Sequence, residues 1–447
     1  MCGLPQNFPG EIWADIFAIL DRDDMLALML CGVSAHNLVL PYYRHSVVLF
    51  NSRSLSREVR FWSRGTVGRL DGSEGLAKGV RIVQLGQGRS EPPFDNAVLF
   101  ELLAKFSCVS SLSIVGVDLP WNPLNELLLG WNSLKEFKMS SFAPLMVEGA
   151  ACKDKLPEAF TRVEHLSLIS GNVWRFTGGP FSTAMIGSEA LQTLEIDLNG
   201  WKDLVRWVLA CDREAYLPLC YLKHLSLVVD EHSSTFDRTD WESLCRGLKF
   251  LPSLVMLKFQ SFMGGLTLEF DSNRTAAVTL SSVRVVEGFL AAATRESLHM
   301  ESISVLDAGL DFEAMVSLWG RWACSPDVRF LRVAGLTGDV NGYDDGYGGR
   351  EASALGVQFP NLEELHLSWY PREDDDVVYL FLEEHFDSLR SVKVMDVFVE
   401  SSGDAVDMDY WVRKLRIHES AILHFGMHPG WKWVREDVVS PWRKVLL

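Results

Sequence analysis

One short pattern, apolar-x-x-apolar-x-apolar, recurs along most of the chain and constrains its fold more than any other feature. It appears as Val80-Val83-Leu85, Val109-Leu112-Ile114, Leu134-Phe137-Met139, Val163-Leu166-Leu168, Leu191-Leu194-Ile196 and Leu222-Leu225-Leu227. It continues as Leu254-Leu257-Phe259, Met300-Ile303-Val305, Val328-Leu331-Val333, Leu362-Leu365-Leu367 and Leu389-Val392-Val394. The last two positions of each triplet alternate, as a strand with one buried face requires. Several triplets follow a turn, as in Phe359-Pro360-Asn361-Leu362 and Leu251-Pro252-Ser253-Leu254.

Helical spacings fill the gaps. Leu99, Leu102, Leu103 and Phe106 stand on one helical face, and Phe312, Met315, Val316 and Trp319 repeat that spacing. Val377, Leu380 and Phe381 begin another behind the acidic run 373–376, whose charge suits a helix N-terminus. Strand and helix alternating about every thirty residues fit either a doubly wound nucleotide-binding sheet or a leucine-rich-repeat horseshoe. Three features favour the horseshoe. The strands are short and lack the continuous Val/Ile runs of a sheet buried on both faces. There are about eleven, more than an open twisted sheet usually holds. Gly86-Gln87-Gly88 lacks the third glycine and the helix start of a dinucleotide turn. The repeats are irregular, and the gap from Phe259 to Ile303 has room for a missed repeat or an insertion around 266–273.

The composition suits a continuous core, with 48% hydrophobic residues among 447. A net charge of -17, from 59 acidic and 42 basic residues, speaks against a general nucleic-acid or anionic-membrane binder. The 8 cysteines are scattered without a Cys-x-x-Cys pair, so no disulfide framework is expected. Residues 1–11 lack a secretory pattern, and the apolar run Met25 to Val33 is too short to span a bilayer. A soluble protein of the cytoplasm, the nucleus or both is expected.

Residues Phe8 to Arg44 differ from the repeats. Glu11 to Leu20 predicts a helix, with Ile12, Ile16, Phe17 and Leu20 apolar and Pro9 near its first turn. Asp21-Arg22-Asp23-Asp24 supplies cap residues. Met25 to Cys31 predicts a second helix, apolar nearly all round. Forty residues rarely bury that much apolar surface alone, so a partner surface is expected.

The segment resembles the F-box of fungal F-box proteins with divergent leucine-rich repeats. The resemblance runs through Phe8-Pro9-Gly10-Glu11-Ile12 and Ile16-Phe17-Ala18-Ile19-Leu20 into Asp24-Met25-Leu26-Ala27-Leu28-Met29-Leu30. It closes on Leu38-Val39-Leu40-Pro41-Tyr42-Tyr43-Arg44 and Val47-Val48-Leu49, with Ala35 where the family carries a large aromatic. It implies an α/β chain with a helical adaptor-docking module over 1–45. An irregular horseshoe solenoid with a C-terminal cap follows over 46–447, its parallel strands on the concave face and its helices outside. It also implies the substrate-recognition subunit of an SCF-type (cullin-RING) ubiquitin ligase, with a Skp-family adaptor, a cullin and a target protein as partners. The adaptor side would be Phe8, Pro9, Ile12, Ile16, Phe17, Leu20, Leu26 and Leu30, some of which could instead form the module's own core.

Target binding is expected on the concave strand face, at His165, Glu195, His224, Lys258, Arg332, His366 and Trp369. Their mixed signs suit a protein surface better than a single anion or metal. No nucleophile elbow, phosphate loop or His-Glu-x-x-His is present, so neither catalysis nor a cofactor is expected. The segment Gly335 to Arg350, with Tyr343 and Tyr347, reads as a mobile loop, since its carboxylates lack calcium-loop spacing. His424 and His428 form no metal set, and Trp431, Trp433 and Trp442 would cap the open end of the core. Two rival readings remain: a repeat scaffold whose F-box is vestigial or serves a complex without a cullin, and an α/β hydrolase or transferase.

Overall fold

The computed structural model describes residues 10–20, 22–63, 77–87, 93–117, 119–141, 161–170, 189–197, 201, 205, 219–229, 238–261, 264–281, 283–306, 326–338, 359–371, 393–399, 422–427, 431–435 and 443–446. The chain is α/β and forms two compact units, Met1–Leu222 and Lys223–Leu447. The boundary expected at 45/46 therefore falls inside the first unit, which holds both the N-terminal helices and the first repeats.

The repeat pattern is the core. Every residue of the triplets from Val80 to Leu367 is buried, none of them more than 4% exposed. In the first unit, strands β1 (Ser46–Leu49), β2 (Ile82–Gly86), β3 (Ser111–Val115), β4 (Glu136–Ser141), β5 (His165–Ser170) and β6 (Thr193–Asp197) pair in chain order, all parallel. The registers keep like positions together, as in Leu112↔Phe137, Phe137↔Leu166 and Leu166↔Leu194. A backbone carbonyl just upstream of each strand accepts two N–H groups from the next repeat. Arg81 receives Ser110 and Ser111, Ser110 receives Lys135 and Glu136, and Lys135 receives Glu164 and His165. Each strand thus satisfies its polar backbone through its neighbour, and no repeat is complete alone.

Helices join these strands. Asp95 caps α5 (Asn96–Leu103), accepting from the N–H groups of Ala97 and Val98, and Leu99, Leu102 and Leu103 are buried as their spacing predicts. The helix α4 (Ser52–Ser63) starts on a reciprocal cap, in which Ser54 N–H donates to Asn51 Oδ1 and Asn51 N–H to Ser54 Oγ. Helix α6 (Trp121–Gly130) buries Leu124 and Leu128.

The second unit departs from simple repetition. Strand β7 (His224–Val228) runs parallel to β8 (Met256–Ser261), but β9 (Gly264–Phe270) is antiparallel to both β8 and β10 (Ala276–Leu280). The long gap thus holds an inserted meander. Its turn is set by Asp271, whose side chain accepts from the N–H groups of Asn273 and Thr275, with Arg274 in the left-handed region at φ 65. The Arg274 guanidinium stacks on Phe270 and donates to the Leu254 and Leu248 carbonyls, pinning the hairpin to the preceding repeat.

From β10 the parallel order resumes through β11 (Met300–Val305), β12 (Phe330–Gly338), β13 (Glu364–Pro371), β14 (Val394–Val399) and β15 (Ile422–Met427). Strands β16 (Trp431–Arg435) and β17 (Arg443–Leu446) then close the unit as an antiparallel meander. The expected loop beginning at Gly335 is strand as far as Gly338. A register shift between Val333 and Leu336 lets β12 continue alongside β13, which supplies its backbone partners. The rest of that loop, the helices expected around 312–319 and 377–381, His428 and Trp442 lie outside the described residues.

Helices α7 (Arg238–Leu248) and α8 (Val283–Arg295) pack together over this sheet. Trp241 of α7 lies between Phe259 of β8 and Phe289 of α8, with ring centroids 5.1 and 5.8 Å away. Gly288 meets the edge of that indole, and a Cβ there would collide with Trp241 Nε1. Trp241 is buried and has no room to yield, so Gly288→Ala should lower stability by about 2 kcal/mol, the usual cost of overpacking. A thermal melt checks this.

Beyond α8, Glu296 accepts from Lys249 at 2.9 Å and Arg246 at 3.2 Å. The Lys249 bond holds its carboxyl below the ordinary carboxylate range, with Arg246 assisting and burial opposing. A depressed carboxylate stabilises the fold above its ordinary pKa of 4.5 and loses that contribution as pH falls below it. The melting-temperature gap between wild type and Glu296→Gln should therefore shrink between pH 7 and pH 3.5.

Candidate functional site

Two surfaces emerge, one on the N-terminal helices and one on the polar face of the strands. The helices are α1 (Gly10–Ile19), α2 (Arg22–Leu30) and α3 (Val33–Tyr43). They build a small core of Trp13, Phe17, Met29, Val39 and Leu40, with Ile16, Leu20, Met25, Leu28, Leu38, Tyr42 and Tyr43 packed against it. Trp13 stacks on Phe17 at 5.4 Å, and Tyr42 closes on Phe17 at 4.7 Å. Ala35 is buried.

The eight residues expected on the adaptor side therefore divide. Phe17 is 4% exposed and belongs to the core, with Ile16 and Leu20 packed against it. Phe17 falls on the side of the module's own core, its ring enclosed by Trp13 and Tyr42. Ile12, Leu26 and Leu30 remain exposed, Leu30 by 80%. Phe8 and Pro9 lie outside the described residues. Two exposed apolar residues were missed, Ile19 at 85% and Val33 at 79%. Ile19 stands seven residues from Ile12, on the same face of α1, and that spacing was the available signal.

The helices join the first strand through a buried charge. Arg44, the residue after α3, occupies the first slot of an apolar-x-x-apolar-x-apolar triplet completed by Val47 and Leu49 of β1. Its guanidinium pairs with Glu58 of α4 at 2.7 Å, the side chains being 15% and 3% exposed. It also lies over the Phe61 ring at 3.7 Å, while Trp62 Nε1 donates to the same carboxylate at 3.2 Å. Glu58→Gln leaves the half-buried Arg44 guanidinium without its counter-charge and should cost about 3 kcal/mol. Arg44→Met with Glu58→Leu should recover most of that loss in a denaturant titration, because neither charge is then stranded.

On the strands, the residues between the buried positions form rows across the sheet. In the first unit one row runs Ser111–Glu136–His165–Thr193 and the next Ser113–Lys138–Ser167–Glu195. Its charges are largely satisfied internally. Ser111 donates to Glu136 at 2.7 Å, Lys138 pairs with Glu136 at 2.8 Å, and Ser167 donates to Glu195 at 2.6 Å. The Lys138 bond, more than the Ser111 bond, holds the Glu136 carboxyl below the ordinary range against partial burial.

In the second unit the registers join Lys258, Thr267, Thr279, Ser304, Arg332 and His366 into one row. His224 belongs to the neighbouring row, opposite Met256. His366 lies 3.6 Å from Glu364 and its ring is 4.9 Å from Phe330. Trp369 pairs in backbone register with Leu336 and Val399, its side chain lying outside the description. Of the seven expected target residues, His165 and Glu195 thus belong to the first unit and the other five to the second. Thr267 and Thr279 were missed because their hairpin was not read. The alternation Leu266-Leu268-Phe270 and Ala276-Val278-Leu280 around Asp271-Ser272-Asn273 was the signal for it.

Among the described residues no group of three or more His, Cys, Asp or Glu is placed to hold a metal ion. No described helix is long and apolar enough to cross a membrane. Burial pushes the Cys245 thiol up to about 12, making it a packing group.

No protein-family model matches the chain, and no curated protein matches it. Among solved structures it is similar to "Crystal structure of TLR13-ssRNA13 complex", with 13% identity and a TM-score of 0.28 over 80% of this chain and 48% of that one. The chain thus spans about half the length of that protein. Its α/β architecture, with a long and mostly parallel sheet, stands on the strand registers.

Proposed function

We propose that this chain is the substrate-recognition subunit of an SCF-type ubiquitin ligase, built as an F-box followed by an irregular leucine-rich-repeat horseshoe. The observation that carries the reading is a helical module with a complete core that still leaves Ile12, Ile19, Leu26, Leu30 and Val33 exposed. A module this small gains by burying such residues on a partner. The sequence resemblance names the partner class: a Skp-family adaptor, and through it a cullin. The chain would perform no chemistry. It would hold a target protein on its polar strand face near a ubiquitin donor, so that proximity accelerates transfer. The expected setting is the cytoplasm, the nucleus or both.

A second reading, a repeat scaffold whose F-box is vestigial or works outside a cullin complex, draws on the enclosure of Phe17 and the packing of Ile16 within the module. Adaptor binding without cullin recruitment would favour it.

The test uses the exposed positions. Ile19→Asp with Leu30→Asp should abolish co-purification with the Skp-family adaptor while leaving the melting temperature unchanged, since neither side chain is in the core. Wild-type protein that fails to bind the adaptor, or a double variant that binds normally, would sink the proposal.

A further inference from the structure

The two polar strand faces differ in one respect. In the first unit Lys138 is neutralised by Glu136, and the Ser111 and Ser167 hydroxyls are occupied by carboxylates. In the second unit Lys258 and Arg332 are exposed, and neither has an ion-pair or hydrogen-bond partner. Between them stand only the half-buried hydroxyls of Thr267, Thr279 and Ser304, also without side-chain partners.

No described residue of that row from Lys258 to His366 is acidic. Glu269 and Glu364 belong to the neighbouring row, where Glu364 faces His366 at 3.6 Å. Lys258 and Arg332 thus stand unpaired in line with uncharged donors, although the chain as a whole carries a net charge of -17. The row is electrostatically incomplete in a way an external anion would complete.

Its dimensions say what kind of anion. Lys258 and Arg332 are four strands apart, on the order of 19 Å at the usual inter-strand spacing. That is too far for one compact anion to reach both. An extended peptide covers the distance in about six residues. Its backbone amides would meet the Thr and Ser hydroxyls on the way.

We infer that the polar face of the second unit binds an acidic segment of a partner protein that crosses the strands. Carboxylates about six residues apart would sit on Lys258 and Arg332. The proposal rests on the reading of the strand face as the target-binding face and is independent of adaptor docking.

The experiment measures fluorescence anisotropy of the full chain with a labelled peptide carrying two Glu-Glu pairs separated by four Gly/Ser residues. Saturable binding is expected, lost when the glutamates are glutamines and weakened when the two pairs are adjacent. Lys258→Glu with Arg332→Glu should weaken binding about tenfold or more. Lys78→Glu with Lys105→Glu makes the same charge change at exposed positions elsewhere and should change binding less than about twofold.

Lys258→Gln with Arg332→Gln gives a milder pair, should the reversal disturb folding. No saturable binding by the wild type, equal loss in the control pair, or tighter binding of a neutral peptide bearing one phosphoserine would each overturn the inference. Adaptor capture by the same variants reports on the N-terminal helices alone, so a failure of either reading is distinguishable from a failure of the other.

Discussion

The buried triplet is the constraint on which the rest depends. Each repeat contributes a few apolar side chains, and its strand leaves one edge of backbone unsatisfied until the next strand arrives. The shared carbonyls at Arg81, Ser110 and Lys135 in the first unit, and at Lys223, Arg329 and Glu363 in the second, are the same device repeated. Burial of residues such as Leu112, Phe137 and Leu166 supplies the driving force, at roughly 25 cal/mol per Å² of apolar area removed from water. The carbonyl ladder decides where each strand sits. Because every repeat leans on its neighbours, the ends and interruptions of the array need special chemistry.

Three such places stand out. At the first strand, Arg44 replaces the usual apolar residue, and its burial is tolerable only because Glu58 and Phe61 enclose it. The same arrangement ties α3 to α4, so the helical module is attached to the first repeat by an ion pair in a sheltered site and not by a bare linker. In the middle of the second unit, the β9–β10 hairpin interrupts the parallel order, and Arg274 secures it by occupying carbonyls of the preceding repeat. At the end, β16 folds back antiparallel on β15, and β17 antiparallel on β16. The antiparallel form of this end was not legible in the sequence, which offered only the tryptophans there.

The candidate surfaces follow from the same alternation. With every second strand residue committed to the core, the remainder must face outward, and the registers line them up across strands. A row such as Lys258–Thr267–Thr279–Ser304–Arg332 therefore exists only because the inserted hairpin keeps the face in phase on both of its sides. The helical module obeys a different economy. Its apolar residues exceed what three short helices can enclose, so some were bound to be left outside.

The sequence by itself determined the α/β class, the buried positions of the triplets from Val80 to Leu367 and the first two helices. Those properties depend on local periodicity, which a linear reading measures directly. It missed β1, because a cation stands in the first slot at Arg44, and periodicity takes no account of a partner fourteen residues away. It named Phe17, Leu26 and Leu30 together, because all three are apolar on helices. Only packing separated the enclosed Phe17 from the exposed Leu26 and Leu30, since burial depends on which helix faces cover one another. Likewise it placed Lys258 and Arg332 on outward strand positions, but only the tertiary registers put them in one row and left both unpaired.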